Sequence, residues 1–192
     1  MADNHLRLLA RPAIAAALAL ALAVQAAGAE AVFRLRSPSI APDGTLSNEQ
    51  VYSGFGCSGK NISPALSWKG APRDTKSFAL TVYDPDAPTG SGWWHWVVYN
   101  IPADVSELPA GAGNPGGSLP AGALQGHTDF GTSGFGGPCP PAGDKPHRYI
   151  FTIYALSVDK ISVPDEASAA MVGFMIHANT LAKASLTGRY GR

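Results

Sequence analysis

Asp84-Pro85-Asp86-Ala87-Pro88 sets two carboxylates among prolines, and each Pro fixes its own φ and restricts the residue before it. Neither carboxylate is free to wander. The segment runs on through Thr89-Gly90-Ser91-Gly92 into Trp93-Trp94-His95-Trp96, three indoles and an imidazole in four residues. So much aromatic surface beside a turn suits a cavity wall. A second segment, Gly136-Gly137-Pro138-Cys139-Pro140-Pro141, leads into Asp144-Lys145-Pro146-His147-Arg148-Tyr149. A rigid Gly/Pro loop presents backbone N–H groups to an anion. His147 and Tyr149 alternate at a strand entry and point to one face. Two chemistries follow. A carboxylate that accepts an N–H from an imidazole orients the ring and favours its charged form, which makes an anion site. Two Asp and two His could instead hold Zn²⁺ or another divalent metal for hydrolysis.

Other motifs fall away on inspection. Gly54-Phe55-Gly56-Cys57-Ser58-Gly59-Lys60 approaches a nucleotide-binding loop, but Asn61 replaces the Mg²⁺-binding hydroxyl and Pro64 blocks the helix that would hold phosphate. Gly131-Thr132-Ser133-Gly134-Phe135 lacks the second glycine of a nucleophile elbow. His127 and His177 read as surface or core-edge residues. Asn61-Ile62-Ser63 is a glycosylation sequon in form, followed by Pro64.

The elements that must position these residues come mostly from alternation. Phe78, Leu80 and Val82 share one face of Ser77–Tyr83, Tyr149–Leu156 is apolar on both faces, and His95–Ile101 ends at Pro102. Shorter strands are expected at Val32–Arg36, Gln50–Tyr52, Ala65–Trp68 and Lys183–Tyr190. One helix is expected, opening at Asp165-Glu166 and carrying Ala170, Val172, Phe174, Met175, Ala178 and Leu181. The stretch from Pro109 to Gly126 reads as a long loose loop. Strands without βαβ alternation, plus one late helix, predict a mainly β fold: an antiparallel, Greek-key-like β-sandwich with a few short helices.

The 192 residues carry 14 basic and 14 acidic side chains. A net charge of zero argues against a nucleic-acid partner, which needs a surplus of Lys and Arg to displace counterions. The first 29 residues are of another kind. Arg7 and Arg11 precede an uncharged, Ala-rich run from Ala13 to Gly28, closed by Ala27-Gly28-Ala29. That is the layout of a secretory signal peptide, too short for a bilayer span. Cleavage after Ala29 is expected, leaving residues 30–192 as one domain, periplasmic or secreted, with no stable membrane insertion. Two cysteines after such a signal, Cys57 and Cys139, are expected to form one disulfide.

Together, Asp84-Pro85-Asp86-Ala87-Pro88, Gly92-Trp93-Trp94-His95-Trp96, Pro140-Pro141 and His147-Arg148-Tyr149 resemble the phosphatidylethanolamine-binding protein family, also called Raf kinase inhibitor-like. Asn61-Ile62-Ser63-Pro64 and Ala170-Met171-Val172-Gly173-Phe174 support the likeness, which extends from about Val32 to Gly191 and favours the bacterial YbhB/YbcL-type branch and its exported members. The resemblance implies a non-catalytic binding protein whose cavity takes phosphate-like anions, including phosphorylated small molecules and phospholipid headgroups. By position, the cavity residues would be Asp84, Asp86, Trp93, His95, His147 and Tyr149, with the backbone at Cys139. Eukaryotic members carry Gly where Cys139 stands, so a disulfide there would pin the loop. The resemblance also implies a possible homodimer and no cofactor. Rival readings are an exported inhibitor acting through its surface and a metal-dependent hydrolase using the Asp/His cluster.

Overall fold

The computed structural model describes residues 32–192; the expected signal peptide and its cleavage point lie outside them. Eleven elements follow one another. The strands are β1 (Arg34–Arg36), β2 (Ser53–Gly54), β3 (Cys57–Ser58), β4 (Leu66–Lys69), β5 (Ser77–Asp84), β6 (Trp93–Pro102), β7 (Glu107–Leu108), β8 (Leu124–Gln125) and β9 (His147–Leu156). The helix α1 (Ala169–Ala178) and the strand β10 (Thr180–Tyr190) complete the chain. A five-stranded antiparallel sheet, ordered β10-β9-β5-β6-β8, and a three-stranded sheet, ordered β1-β4-β7, are accompanied by the β2–β3 pair.

The alternation seen in the sequence is the reason for the layers. Phe78, Leu80 and Val82 of β5 pack with Phe151 and Ile153 of β9 against Leu35, Leu66, Trp68 and Leu108 of the smaller sheet. Ala79 and the β6 residues Val97 and Tyr99 face the opposite way, with Tyr154 and Leu156, onto Val172 and Ile176 of α1. The central strands are therefore buried on both faces. This is why β9 reads as a continuous apolar run rather than an alternating one.

Several boundaries differ from the sequence reading. Gln50–Tyr52 is not a strand; Gln50 N–H closes a turn on Ser47, and pairing begins only at Ser53. The helix starts later than Asp165, because Ser168 caps it by accepting the Met171 N–H at 3.2 Å. Leu181 consequently belongs to β10, which begins at Thr180 rather than Lys183. The stretch 109–126 is not loose. Gly111 N–H bonds Ser63, the Asn114 side chain accepts from Ser63 N–H at 3.0 Å, and Leu124–Gln125 pairs with β6. Its backbone groups find partners that no local pattern announces.

Candidate functional site

In an antiparallel sheet ordered β9-β5-β6, the end of β5 and the starts of β6 and β9 lie at the same edge. Asp84, His95, His147 and Tyr149 are thereby brought to one end of the molecule. They line a cavity of about 170 Å³ together with Trp93 and Cys139. Asp84 and His147 are both buried, and Asp84 Oδ2 accepts from His147 Nδ1 at 2.8 Å. The other carboxylate oxygen accepts the Asp86 N–H at 2.8 Å, closing the turn after β5. That turn needs Gly92, which has φ +69° and would place a Cβ 2.2 Å from the Tyr83 hydroxyl oxygen.

Asp86 does not join the cavity. The strand ends at Asp84, so alternation no longer governs the side chain two residues on. Its carboxylate accepts from Arg148 Nε at 2.8 Å, Arg148 Nη2 at 2.6 Å and the Arg148 backbone N–H at 2.9 Å. The guanidinium hydrogen bond, with the charge behind it, holds the Asp86 carboxyl down at about 2. Because the folded pKa lies below the unfolded value of about 3.9, the pair's contribution is complete above pH 4 and disappears as pH falls towards 2. The pair is partly solvent-exposed, so the effect is modest. Asp86→Asn should lower the melting temperature at pH 7 and not at pH 2, as read by thermal denaturation at both values. An equal deficit at both would mean that packing rather than charge is at stake.

His95 differs from His147. Its Nδ1 lies 2.6 Å from the Gly136 carbonyl oxygen, which fixes Nδ1 as the donor, and Nε2 makes no hydrogen bond to a described residue. Burial pulls its pKa down to about 4, with the Gly136 carbonyl and the Asp84 charge opposing that pull. No carboxylate receives this ring; the carboxylate–imidazole pair is Asp84 with His147. The resting ring is neutral. Tyr149 is 1 % exposed, its ring meets that of His95 edge-on at 5.1 Å, and its hydroxyl makes no hydrogen bond to a described residue. Burial first and the Asp84 charge second raise the phenol's pKa, so it remains a donor at every physiological pH.

The rim is built by two loops. Asn61, at φ +54°, accepts the Gly137 N–H at 2.7 Å and donates to the Phe135 carbonyl at 3.1 Å, which sets the loop whose Gly136 carbonyl caps His95. Gly137 passes so close to Gln50 that an added Cβ would lie 1.8 Å from its carbonyl oxygen. Beyond it, Cys139 carries the only backbone N–H in the run Pro138–Pro141, and that group bonds no described residue. Cys139 is bridged to Cys57, as expected, with the Cα atoms 6.0 Å apart. Arg192 fastens the same two loops, donating to the carbonyls of Pro140 and Gly56 at 2.7 and 3.0 Å.

Sequence reasoning assigned Trp93 to the aromatic wall and overlooked Phe55 and Phe130. Phe130 meets Trp93 edge-on at 5.4 Å and His95 at 5.5 Å, and Phe55 stacks on Phe130 at 5.9 Å. Phe55, exposed and flanked by glycines near Cys57, carried a usable signal; Phe130 carried none. Asp144 was also passed over. It lies 3.5 Å from His147 Nε2, on the outer side of the ring. His127 reaches Glu166 at 3.4 Å and His177 meets Tyr154 edge-on at 5.6 Å, both away from the cavity. Among the described residues, no three His, Cys, Asp or Glu side chains are grouped to hold a metal ion. The four Asp/His groups weighed for a metal do not converge: Asp86 is held by Arg148, and one nitrogen of each imidazole is already engaged.

Comparison with known proteins agrees with this architecture. Residues 36–191 match the family model described as phosphatidylethanolamine-binding protein. The UPF0098 protein YbcL of Escherichia coli is 56% identical over 161 residues, covering 83% of this chain and 88% of that protein. UPF0098 protein YbhB of the same organism is 53% identical over 145 residues, 76% of this chain and 91% of its own length. The crystal structure of E. coli YbcL, described as a new member of the mammalian PEBP family, superposes with a TM-score of 0.82 at 55% identity, over 85% of this chain and 99% of that one. A Chlamydia trachomatis homologue superposes with a TM-score of 0.71 at 32% identity, over 84% and 99%.

Proposed function

The chain belongs to the phosphatidylethanolamine-binding protein family, and from that premise we propose that it is an exported, non-catalytic binding protein whose cavity takes a phosphate-like anion. One observation carries the proposal. Tyr149, a buried residue, turns a hydroxyl donor with no partner among the described residues into a cavity walled by aromatic rings and prolines. The ring is packed while the hydroxyl opens onto the cavity, so an anion oxygen meets a free, directed donor in apolar surroundings, where a charge-assisted hydrogen bond is strong. The Cys139 N–H and His95 Nε2 are the other polar groups there without a partner among the described residues. His95 is neutral at rest, so it receives a proton as the anion enters, or accepts one that a phosphate monoester brings.

The Asp84–His147 pair organises rather than receives. Asp84 sets the imidazole's orientation and neutralises part of its own charge against it, so that the carboxylate does not repel the ligand. Phosphorylated small molecules and phospholipid headgroups share the anion that this arrangement recognises. Calorimetric titration with inorganic phosphate and with phosphoethanolamine tests the reading. Tyr149→Phe removes one hydrogen bond worth about 0.5–1.5 kcal/mol, so affinity should fall roughly 2- to 12-fold. Unchanged affinity in that variant would place the anion elsewhere. The export component predicts that protein recovered from the producing cell begins at Glu30, read by intact mass; a chain retaining Met1 would count against it.

A further inference from the structure

Strand β10 forms one border of the five-stranded sheet, and β9 pairs with it on one side only. The outer side is partly covered. Thr187 and Arg189 turn their backbone groups outward, where Asp43, Gly44 and Leu46 bond them. By the alternation of an antiparallel ladder, Lys183 and Ser185 also turn their N–H and C=O groups outward, and no described residue bonds them. Beside this open stretch, β1 runs past β10 and a groove of about 560 Å³ lies between them. Ala184 and Leu186 line it with apolar residues, and the exposed Arg34 and Arg36 stand along its β1 side. Among the described residues neither arginine, nor Lys183, has an acidic partner within 4.0 Å.

We propose that this border of β10 is a docking strip for an extended acidic segment of a partner protein, which adds as a further strand. Three features select that occupant. The outward N–H and C=O groups of Lys183 and Ser185 demand a partner of β geometry. Ala184 and Leu186 accept small or branched apolar side chains on one face. Lys183, on the face opposite Ala184 and Leu186, favours Glu or Asp at the alternate positions of the incoming strand, and Arg34 and Arg36 beside the groove add positive potential along the same border. These charges also oppose the commonest competitor, a second copy of the same border: antiparallel self-pairing about Lys183 would set like charges directly opposite each other. Cationic residues on an open strand guard against self-association, and the same charges attract an acidic strand.

The test uses fluorescence anisotropy with the labelled peptide Glu-Val-Glu-Val-Glu-Val, blocked at both ends, and its Lys-Val counterpart, against the protein covering residues 30–192. The acidic peptide should bind, with affinity falling as salt rises, and the basic peptide should not. Lys183→Gln removes charge and keeps the N–H, whereas Lys183→Pro removes both, so the Pro variant should bind at least about tenfold more weakly than the Gln variant. Arg34→Glu with Arg36→Glu, both exposed, should cost at least about tenfold without altering phosphate affinity at the cavity. This pair keeps the idea testable should the Pro variant fold poorly. No binding of the acidic peptide at millimolar concentration, equal binding of the two peptides, or indifference to the arginine reversal would each overturn the proposal.

Discussion

Protein carrying Cys57→Ser and Cys139→Ser together should unfold with about 4–5 kcal/mol less free energy than the bridged form, because the bridge closes a loop spanning 82 residues in sequence and its removal restores that freedom to the unfolded chain. The measurement is guanidinium denaturation of oxidised wild type, of reduced wild type and of the double variant, the last two agreeing with each other. Phosphate affinity should also fall in both, since the bridge joins the rim loops that carry Phe55 and the Cys139 N–H. The two readouts separate the roles. A stability loss with unchanged affinity would assign the rim to Arg192 and the Gly137 packing alone. A loss far below 1 kcal/mol would mean that the unfolded chain is not appreciably constrained by the bridge.

A second large effect follows from His95. Its pKa of about 4 in the free protein means that the ring is neutral above about pH 5. An anion beside Nε2 favours the imidazolium, so binding draws in a proton. Linkage then requires affinity to rise about tenfold for each unit by which pH drops below the ring's pKa in the complex, and to level off near pH 4. Sulfate, which holds its charge over this range, isolates the protein's own contribution. Its affinity should be much greater at pH 5 than at pH 8, and His95→Gln should flatten the profile. A profile unchanged in that variant would transfer the titration to another group. The same depressed pKa has a cost for the free fold: the contribution from the neutral ring is complete above about pH 6.5 and lost as pH falls towards 4. Added sulfate should offset part of that loss.

Much of this arrangement was legible from residue types, and the parts that were not share a cause. The proline-bounded Asp84 and the His147/Tyr149 alternation lie in or beside long apolar strands, where period and burial are fixed by the sheet on both faces. Their convergence follows from strand order. Asp86 was misplaced because it lies beyond the strand's last residue, and Arg148, 62 residues away, competes for it. Which histidine meets a carboxylate was left open by the sequence, because the partner of His95 is a backbone carbonyl 41 residues distant. Backbone carbonyls carry no signature in a sequence. Phe130 likewise reaches the cavity from a turn whose hydrogen bonds, Thr128 to Thr132, are local while its destination is not. Gln50–Tyr52 looks like a strand, yet its surroundings are turn and loop backbone: Tyr52 N–H goes to Pro138 and Val51 accepts from Asn61.

The meeting of the β5 end with the starts of β6 and β9 has a consequence for how the molecule comes to function during folding. Asp84 and His147 are 63 residues apart, and the rim cysteines 82. No local segment holds even half of the cavity. Contacts of such separation are formed late and slowly, because the loop entropy is lost before the pairing can reward it. Affinity for the proposed anion should therefore appear only when the two-faced sheet is complete, and should vanish with any event that separates β9 from β5. A bound anion in turn stabilises the finished fold by mass action. A cavity filled in that way would act as a sensor of its own scaffold, its occupancy reporting that the most distant parts of the chain have found one another.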